Sequence, residues 1–496
     1  MADSKPESVP VLPWMRDPVH IDEVDTCPLH LLPGLDRRLE AALKLMGIQS
    51  LFRVQVAVWQ EIMGFGAFER DICVNSPTGS GKTLAYALPI VQLLSTRKIK
   101  CLRALVVVPT RDLALQVKEV FTAIAPAVGL HVGLAIGQSS IADEILQLIK
   151  RPKLGMTSPF DPEDLPMELE SAVDILVATP GRLMDHINTT KGFSLKHLCY
   201  LVVDETDRLL RESYQSWLQT VLEIRHSNDE ALSTRAITSP SMLCSLNTRR
   251  ICGIDRGFKD KPYPRLAKII LSATLTRDPS KLSQFNLHHP LLLKSGHKRY
   301  QLPENLKSHI LICKTSMKAL YLVSLLEALR GEKCIIFTSS VESTNRLNTL
   351  LKQFGDLPFK FSEFSSRQPQ WSRKKTLKAF REGKVDVLVA TDAFARGMDV
   401  IGVRNVINYD MPSYTKTYVH RAGRTARADQ TGCCFTLMSK SQVKSFENML
   451  QKADNNSYST YSLPAESLER RHSSYLSALE KLKKHVEFRS KKKMQS

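Results

Sequence analysis

The chain has 496 residues, of which 43% are hydrophobic and 24% charged, the composition of an ordinary globular protein. This length favours two or three domains over a single core. No run of about 18 uncharged apolar residues is present, which argues against a membrane span, and the polar start MADSKPESVP argues against secretion. The 10 cysteines include no C-x-x-C pair, so we expect neither a zinc site nor a disulfide framework, and a reducing compartment fits best.

The chain is strongly basic, with 69 Lys and Arg residues against 50 Asp and Glu residues and a net charge of +19. A basic balance favours a polyanionic partner, because neutralising phosphates releases condensed counterions. The alternative is that basic composition is simply common among nuclear proteins. Charge by itself therefore leaves a nucleic-acid partner open.

Short apolar, β-branched runs recur along the chain, separated by segments with helical spacing. The first series is ICVN at 72, ALVVVP at 104, VGLAIG at 132, DILVAT at 174, LVVDE at 201 and KIILSAT at 268. The second series is HILIC at 309, CIIFTSS at 334, VDVLVATD at 385, VINYD at 406 and CCFTLMS at 433. Such alternation is typical of parallel sheets covered by helices. Two series predict two α/β domains, with ligands beyond the carboxyl ends of the strands.

The predicted organisation has four parts. They are an N-terminal extension over 1–29, a first domain over 30–298, a second domain over 299–455 and a basic C-terminal extension over 456–496. Stretches 149–170 and 225–263 have little periodicity and are predicted to be surface insertions.

The C-terminal extension is predicted to form an amphipathic helix, since apolar residues recur at steps of three and four. These residues are Leu468, Tyr475, Leu479, Leu482 and Val486. The extension ends in RSKKKMQS, which is either a nuclear-targeting or RNA-contacting patch or a solvated tail.

The segment SPTGSGKT at 76–83 follows an apolar run and precedes a leucine-rich helix. Gly79 and Gly81 allow a tight turn whose N–H groups point at phosphate oxygens, while Lys82 reaches the outer phosphates and Thr83 offers a hydroxyl to Mg²⁺. Ser76 stands where the pattern G-x-x-x-x-G-K-[ST] has its first glycine, but that is a turn position rather than a phosphate contact. The alternative is a coincidental Gly/Ser turn.

The pair Asp204 and Glu205 follows the apolar run LVV. A phosphate loop needs a carboxylate for the metal and a group that orients water, and these two residues supply them. Alone, an Asp-Glu pair after a strand is more often a helix cap or a solvated turn. Together with the phosphate loop, the functional interpretation is favoured.

Seven short motifs occur in the order found in DEAD-box ATP-dependent RNA helicases, and the chain resembles that family over roughly residues 30–455. The motifs are SPTGSGKT (76–83), PTRDLALQ (109–116), TPGR (179–182), DETD (204–207), SAT (272–274), ATDAFARGMD (390–399) and HRAGRTAR (420–427). The resemblance implies two tandem RecA-like domains, each a mainly parallel sheet covered by helices, with ATP and Mg²⁺ as cofactors. That family usually has alanine where Ser76 stands, so the missing glycine is not a defect.

The resemblance also implies roles for individual residues around ATP. The ATP-binding loop is implied to comprise Ser76, Pro77, Thr78, Gly79, Ser80, Gly81, Lys82 and Thr83. Metal ligation is implied for Thr83 and Asp204, and ribose contact for Asp399. The motif that gives the family its name corresponds to Asp204, Glu205, Thr206 and Asp207. Interdomain coupling is implied for Ser272, Ala273, Thr274, His420 and Arg421, and charge stabilisation at the γ-phosphate for Arg424 and Arg427. Ala426 replaces a usual glycine, which we expect to be a mild change.

Adenine recognition is implied for Gln55, since GIQSLFRVQ at 47–55 resembles the family's adenine-reading element. An amide can donate to and accept from the adenine edge at once. Ile48 and Leu51 depart from the usual aromatic and proline, and no clear aromatic precedes them to stack on the base. The alternative for Gln55 is an ordinary polar residue at a helix start.

RNA contacts are implied at strand-end loops of both domains, where hydroxyls, glycine N–H groups and arginines suit phosphates and sugars. In the first domain they are Thr110, Arg111, Gly137, Thr179 and Arg182, and in the second Ser339, Gln370, Arg373, Thr391 and Gly397. AIGQSS lacks the family's paired glycines, so Gly137 is the weakest member. RNA over DNA rests on the family and on 2′-hydroxyl contacts.

The sequence therefore predicts an ATP-dependent RNA helicase that separates short duplexes or remodels RNA–protein complexes. The alternatives are an ATP-gated RNA clamp or assembly scaffold and a DNA translocase. The long spacing between Asp204 and Ser272 and the basic tail resemble a subgroup linked to ribosomal RNA processing. We expect a monomer in the nucleus, specifically the nucleolus, with the cytoplasm as the alternative. Protein cofactors would bind the insertions and the C-terminal extension.

Overall fold

The computed structural model describes most of the chain. The described residues are 12–64, 70–150, 170–211, 216–224, 265–276, 278–296, 300, 302–303, 305–355, 357–392, 394, 400, 402–427, 430–452 and 458–494. The chain divides into two compact units, the first comprising Met1–Ser76 and Ser80–His297 and the second comprising Pro77–Gly79 and Lys298–Ser496. Of the predicted insertion over 149–170, the structure describes only the ends, residues 149, 150 and 170, while the predicted insertion over 225–263 lies wholly outside the described residues.

The first unit contains an eight-stranded sheet in the order β1-β12-β4-β11-β10-β5-β9-β6, and every pair in it is parallel. Its strands are β1 (Val19–His20), β4 (Ile72–Asn75), β5 (Ala104–Val107), β6 (Val132–Ala135), β9 (Ile175–Ala178), β10 (Tyr200–Val203), β11 (Ala267–Ser272) and β12 (Leu291–Lys294). Two short antiparallel pairs join β2 (Cys27–Pro28) to β3 (Ser50–Leu51) and β7 (Ile149–Lys150) to β8 (Glu170–Ser171).

Nine described helices belong to the first unit. They are α1 (Arg37–Leu45), α2 (Arg53–Met63), α3 (Lys82–Leu94), α4 (Arg111–Ile124), α5 (Ile141–Leu148), α6 (Pro180–Thr189), α7 (Thr206–Leu209), α8 (217–224) and α9 (Pro279–Ser283). Alternate residues of each strand face opposite sides of the sheet. Accordingly Ile72 and Val74 of β4 lie in one apolar core, and Cys73 between them lies in another.

The second unit contains a seven-stranded sheet in the order β15-β16-β14-β17-β18-β13-β19, again with every pair parallel. Its strands are β13 (Leu306–Ile312), β14 (Cys334–Thr338), β15 (Phe361–Phe364), β16 (Val387–Thr391), β17 (Asn405–Asn408), β18 (Gly432–Met438) and β19 (Ser459–Thr460). Its described helices are α10 (Lys318–Ala328), α11 (Val341–Gln353), α12 (Gln370–Arg381), α13 (Thr415–Ala422), α14 (Val443–Lys452) and α15 (Ala465–Met494). Two α/β units with parallel sheets confirm the predicted fold class.

The C-terminal helix α15 packs on the second unit through one apolar face. Tyr475, Ala478 and Leu482 are buried in the core that also contains residues of α10 and α11. Arg471 forms an ion pair with Glu327, and the Tyr475 hydroxyl donates to the Ser316 carbonyl. The predicted amphipathic helix is confirmed, although nothing is described for the side chain of Val486.

The N-terminal segment adds to the first unit. β1 pairs with β12, and the Asp22 carboxylate accepts hydrogen bonds from the Ser295 hydroxyl and the Gly296 N–H. No described helix is both long and apolar enough to cross a membrane. Because each sheet is parallel, the carboxyl ends of its strands lie along one edge, and side chains that follow different strands are gathered there.

Candidate nucleotide and nucleic-acid sites

The phosphate loop connects β4 to α3 in the first unit. Gly79 and Gly81 have φ of 84° and 87°, the left-handed backbone that glycine adopts without strain. The Lys82 Nζ donates to the Ser76 carbonyl at 2.9 Å, and the Ser76 hydroxyl donates to the Ser80 hydroxyl at 2.8 Å. Ser76 thus closes the loop through its side chain and carbonyl, which explains why a glycine is dispensable there.

Gln55 lies against this loop from the start of α2. Its Oε1 accepts from the Phe52 N–H at 2.9 Å, and its Nε2 donates to the Gly81 carbonyl at 3.2 Å. A Cβ on Gly81 would come within 2.4 Å of that Nε2, so a larger residue at this position would displace the Gln55 amide. The ring of Phe52, 46% exposed, also borders Gly81. Phe52 was not predicted, because an aromatic residue that stacks on adenine was expected further upstream.

Asp204 follows β10, the second neighbour of β4 in the sheet. Burial, and then the adjacent Glu205 charge, raise the pKa of Asp204 to about 6, while Lys82 opposes the rise. The Tyr86 hydroxyl donates to the Asp204 carboxylate at 3.5 Å. Tyr86 stands three residues after Thr83 on α3, a spacing that places both on one helix face. Sequence reasoning missed Tyr86, although this spacing was available as a signal.

Thr206, Asp207 and Ser272 connect the ends of β10 and β11. The Thr206 hydroxyl lies 2.9 Å from the Val203 carbonyl and 3.0 Å from the Leu271 carbonyl. The Ser272 hydroxyl donates to Asp207 at 3.0 Å and accepts from the Thr274 N–H at 3.0 Å. Ala273, which lies between Ser272 and Thr274 in the sequence, is buried. Side-chain hydrogen bonds therefore join the two predicted motifs DETD and SAT within the first unit.

The predicted RNA contacts of the first unit follow β5, β6 and β9, which are neighbours in the sheet. Thr110 caps α4, its hydroxyl accepting from the Leu113 N–H at 3.3 Å, and Thr179 is the N-cap residue of α6. A Cβ on Gly137 would lie 3.5 Å from the Arg111 guanidinium and 3.7 Å from the Arg182 side chain. The structure thus brings Arg111, Gly137 and Arg182 together.

A buried carboxylate supports this group. Glu144, 3% exposed on α5, accepts from the Gly137 N–H at 3.0 Å and from the Arg182 Nε at 2.7 Å. The His186 Nε2 lies 2.9 Å from the same carboxylate. Burial alone would raise the pKa of Glu144, but the hydrogen bonds of His186 and Arg182 outweigh it and hold this pKa below its ordinary value. Nothing in the sequence marked Glu144 or His186.

In the second unit, α13 and the turn after it carry the predicted arginines. The Arg421 guanidinium donates to Asp392, to the Asn408 side chain at 3.1 Å and to the Asp410 carbonyl at 2.7 Å. The Nε atoms of Arg424 and Arg427 donate to the carbonyls of His420 and Gly423, at 3.3 and 2.9 Å.

Ala426 has a φ of 54° in this turn, so its backbone is left-handed. A left-handed backbone at alanine costs roughly 1–2 kcal/mol. This strain explains why glycine is usual there, and the replacement carries a physical cost that the sequence alone did not reveal.

The second unit's predicted RNA contacts follow β15, β16 and β14, which are also neighbours. Ser339 donates from its N–H and hydroxyl to Asp410 at 2.9 and 3.1 Å. Gln370 begins α12, and the Arg373 guanidinium lies 5.9 Å from the Phe364 ring centre. Thr391 ends β16. Asp399 and Gly397 lie outside the described residues.

A phosphate loop after one parallel strand and an acidic pair after a nearby strand define a phosphate-loop nucleotide-binding fold. The family described as DEAD/DEAH box helicase matches residues 52–282, and the family described as helicase conserved C-terminal domain matches residues 317–429.

Curated relatives match nearly the whole chain. DEAD-box ATP-dependent RNA helicase 1 of Oryza sativa subsp. japonica is 62% identical over 98% of this chain and 94% of its own. The protein of the same name from Arabidopsis thaliana is 61% identical over 99% of this chain and 94% of its own. ATP-dependent RNA helicase DDX51 of Mus musculus is 36% identical, covering 98% and 77%. The chain belongs to the family of DEAD-box ATP-dependent RNA helicases.

Solved structures share the fold. Mss116p bound to ssRNA and AMP-PNP matches with a TM-score of 0.73 and 23% identity, over 93% of this chain and 84% of that one. Dbp5 of S. cerevisiae, bound to RNA and ADP BeF3, matches with a TM-score of 0.64 and 21% identity, over 89% and 98%. These similarities confirm two RecA-like units.

Proposed function

We propose that the chain uses ATP hydrolysis to separate short RNA duplexes locally or to remodel RNA–protein complexes, with both predicted groups of the first unit acting on one sheet edge. The observation that carries this proposal is the strand order β4-β11-β10-β5-β9-β6. The nucleotide group follows the first three of these strands, and the RNA group follows the last three. A conformational change at the bound nucleotide can therefore reach the RNA contacts through strands that are neighbours in one sheet.

In the nucleotide half, the loop N–H groups around Gly79 and Gly81 bind phosphate oxygens. Lys82 would exchange its hydrogen bond to the Ser76 carbonyl for the outer phosphates. Gln55 and Phe52, which already border Gly81, present an amide and an aromatic face to the adenine. These groups support ATP as the substrate.

Thr83 and Asp204 would hold Mg²⁺, with hydroxyl and carboxylate oxygens of the kind that this ion prefers. Bound there, the ion neutralises charge on the transferring phosphoryl group. Glu205 orients the attacking water and accepts its proton. Its Oε2 is buried and has no hydrogen-bond partner among the described residues, as expected for an acceptor that awaits a substrate.

In the RNA half, Thr110, Arg111, Gly137, Thr179 and Arg182 contact phosphates and sugars, which positions a strand without reading its sequence. Ser339, Gln370, Arg373, Thr391 and Gly397 do the same in the second unit. Arg424 and Arg427 supply positive charge to the γ-phosphate when RNA and ATP draw the units together. Ser272 and Asp207 transmit this change through their hydrogen bond.

The second candidate function is an ATP-gated RNA clamp that holds RNA without separating strands. The predicted ATP-binding and RNA-binding residues fit this function as well, since a closed clamp also needs contacts with ATP and RNA. A strand-displacement assay with short blunt duplexes distinguishes the two functions. We expect repeated rounds of strand displacement with ATP, and at most one round per protein molecule with a non-hydrolysable analogue. RNA retention without displacement under both conditions would assign the clamp function.

We further propose a role in ribosomal RNA processing, a nucleolar location, and a monomer that recruits protein cofactors. The support is the separation of Asp204 and Ser272 by a long insertion and the basic residues near the C-terminus. Sequencing RNA fragments crosslinked to the protein in cells tests this role. Enrichment of messenger RNA over ribosomal RNA precursors would contradict it.

A further inference from the structure

Helix α12 carries an exposed tryptophan at the head of a row of lysines. Trp371 is 70% exposed, whereas Trp59 and Trp217 are 1% and 5% exposed. Lys374, Lys375 and Lys378 are exposed on the same helix. Positions 371, 374, 375 and 378 have the spacing that places side chains on one helix face. We call these four residues the α12 stripe.

The inner face of α12 already accounts for the packing of the helix. Phe380 is fully buried, and Leu377 packs against the same apolar core. Trp371 belongs to none of the apolar clusters in the described part of the chain. The tryptophan is therefore not needed to hold the helix on the sheet, and its large apolar surface faces solvent.

The charge of the stripe is largely uncompensated. Helix α12 contains no acidic residue. Among the described residues, Lys378 pairs with Glu382 at 3.8 Å, and neither Lys374 nor Lys375 forms an ion pair. A row of ammonium groups with an adjacent aromatic ring is complementary to a single-stranded nucleic acid, whose phosphates and unstacked bases need these two kinds of contact.

We propose that the α12 stripe is a second RNA-binding surface, which binds single-stranded RNA flanking the segment held by Gln370 and Arg373. Lys374, Lys375 and Lys378 contact its phosphates, and Trp371 stacks on an unpaired base. The helix rises about 10 Å from Trp371 to Lys378, the length of about three nucleotides at stacked spacing. A base inside a duplex offers Trp371 no face, so the stripe favours RNA with a single-stranded extension.

This proposal rests on the proposed function, since Gln370 and Arg373 are taken as contacts of the central RNA segment. The test compares two RNAs. One is a single strand of the shortest length that stimulates ATP turnover, and the other is the same strand extended by single-stranded nucleotides at either end. The measured quantity is the gain in affinity that the full-length protein obtains from the extension.

We expect Trp371→Ala to reduce this gain about 10-fold, the effect of losing one base stack. Trp371→Phe keeps a ring and should retain most of the gain, whereas Trp371→Leu keeps only apolar bulk and should not. Replacing Lys374, Lys375 and Lys378 together by alanine should lower the slope of log affinity against log salt by about 2. Lys352→Ala, an exposed lysine of α11, is the matched control and should keep the full gain.

Tryptophan fluorescence gives a second readout. Extended RNA should quench the emission of the wild-type protein, and Trp371→Phe should remove that quenching while its melting curve stays unchanged. If the stripe variants keep the full gain from the extension, or if the extension gives no gain to the wild type, the proposal is wrong. A failure of the proposed function would give a different result, because the short strand would then neither bind the wild-type protein nor stimulate its ATP turnover.

Discussion

Glu205 adopts a left-handed backbone, with φ of 53°, directly before α7. A non-glycine residue in this region costs on the order of 1–3 kcal/mol, and such strain concentrates at functional sites. Here the turn places the Glu205 N–H 2.8 Å from the Asp204 carboxylate. Glu205 thus orients the predicted metal ligand Asp204 through its backbone N–H, while its side chain keeps the predicted role of positioning water.

Glu205→Gln should bind ATP but lose about 10²- to 10⁴-fold in hydrolysis, because the amide keeps the size of the side chain and cannot accept a proton. RNA should leave this variant slowly in the presence of ATP. Steady-state ATPase and RNA dissociation rates measure both effects. Glu119→Gln, an exposed glutamate of α4, is the matched control. Faster RNA release from Glu205→Gln would contradict the role.

Ala426→Gly should stabilise the second unit by about 1 kcal/mol, because glycine adopts the left-handed backbone without strain. The matched change Ala379→Gly, within α12, should destabilise by about 1 kcal/mol, because glycine in a helix loses more entropy on folding. Denaturant unfolding of both variants measures the difference. Equal destabilisation by the two changes would show that the φ of 54° at Ala426 carries no strain.

The link between helices α5 and α6 depends on one carboxylate, that of Glu144. Glu144→Gln should lower the free energy of unfolding by about 2 kcal/mol at neutral pH, because charge-assisted hydrogen bonds from Arg182 and Gly137 are weakened. It should also weaken RNA binding, since both groups belong to the predicted RNA contacts. Gln147→Ala, at an exposed position of α5, should change stability by less than about 0.5 kcal/mol.

The pH dependence of this link follows from the lowered pKa of Glu144. A carboxyl group whose pKa is lower in the folded state than in the unfolded state stabilises the fold at pH values above its unfolded-state pKa. This stabilisation is lost as the pH falls through the folded-state pKa. The difference in unfolding free energy between wild type and Glu144→Gln should therefore have its maximum value at neutral pH. It should shrink in acid, below the ordinary glutamate pKa of 4.5.

Helix α15 provides a paired test of packing. Leu482→Ala removes a side chain that is 6% exposed, and it should destabilise the second unit by about 2–5 kcal/mol. Leu476→Ala removes a side chain that is 49% exposed on the same helix, and it should change stability by less than about 0.5 kcal/mol. Thermal melting of the two variants gives the comparison. Similar melting temperatures would mean that α15 does not support the core.

The long central strands were predictable because burial on both faces leaves a continuous apolar signature. All four residues of β5, β9 and β10 are buried. The predicted runs contain all of β5 and β9, and all of β10 except its first residue, Tyr200. β15 was missed because it lies at the sheet edge, where three of its four residues are only partly buried. Its sequence, FSEF, therefore lacks the continuous apolar pattern.

The motif residues of the site were predictable as a group, while the residues that hold them were not. Glu144 lies seven residues beyond Gly137 and 38 before Arg182, and the contact exists because β6 and β9 are neighbours. Spacing along a sequence does not specify which strands are adjacent. Residues whose role depends on that order, such as Glu144 and His186, emerge only from the structure.

For the whole molecule, we expect the proposed ATP hydrolysis to depend on Arg427 of the second unit. Arg427→Ala should reduce the RNA-stimulated ATPase by about 10³-fold or more, the usual contribution of an arginine at the γ-phosphate. ATP binding to the first unit should persist. Arg330→Ala, an exposed arginine of the second unit, is the control.

The ratio of stimulated to basal ATPase, measured beside a melting curve, separates this role from a structural one. A structural arginine would lower the melting temperature and both rates together. A variant of Arg427 that melts normally and keeps the full stimulation ratio would remove this residue from the mechanism.

The pairing of β10 with β11 has a consequence for the connectivity of the chain. The two strands are paired from Tyr200 with Ala267 to Val203 with Ile270, although more than sixty residues separate them in sequence. The chain returns to the described structure at Arg265, whose guanidinium contacts Asp71 at 2.8 Å, beside the amino ends of the strands and opposite the site edge. A protease cut within residues 225–263 would therefore leave both strands bonded to their neighbours. We expect the nicked protein to remain one particle, and this stretch to accept foreign sequence without loss of ATP turnover.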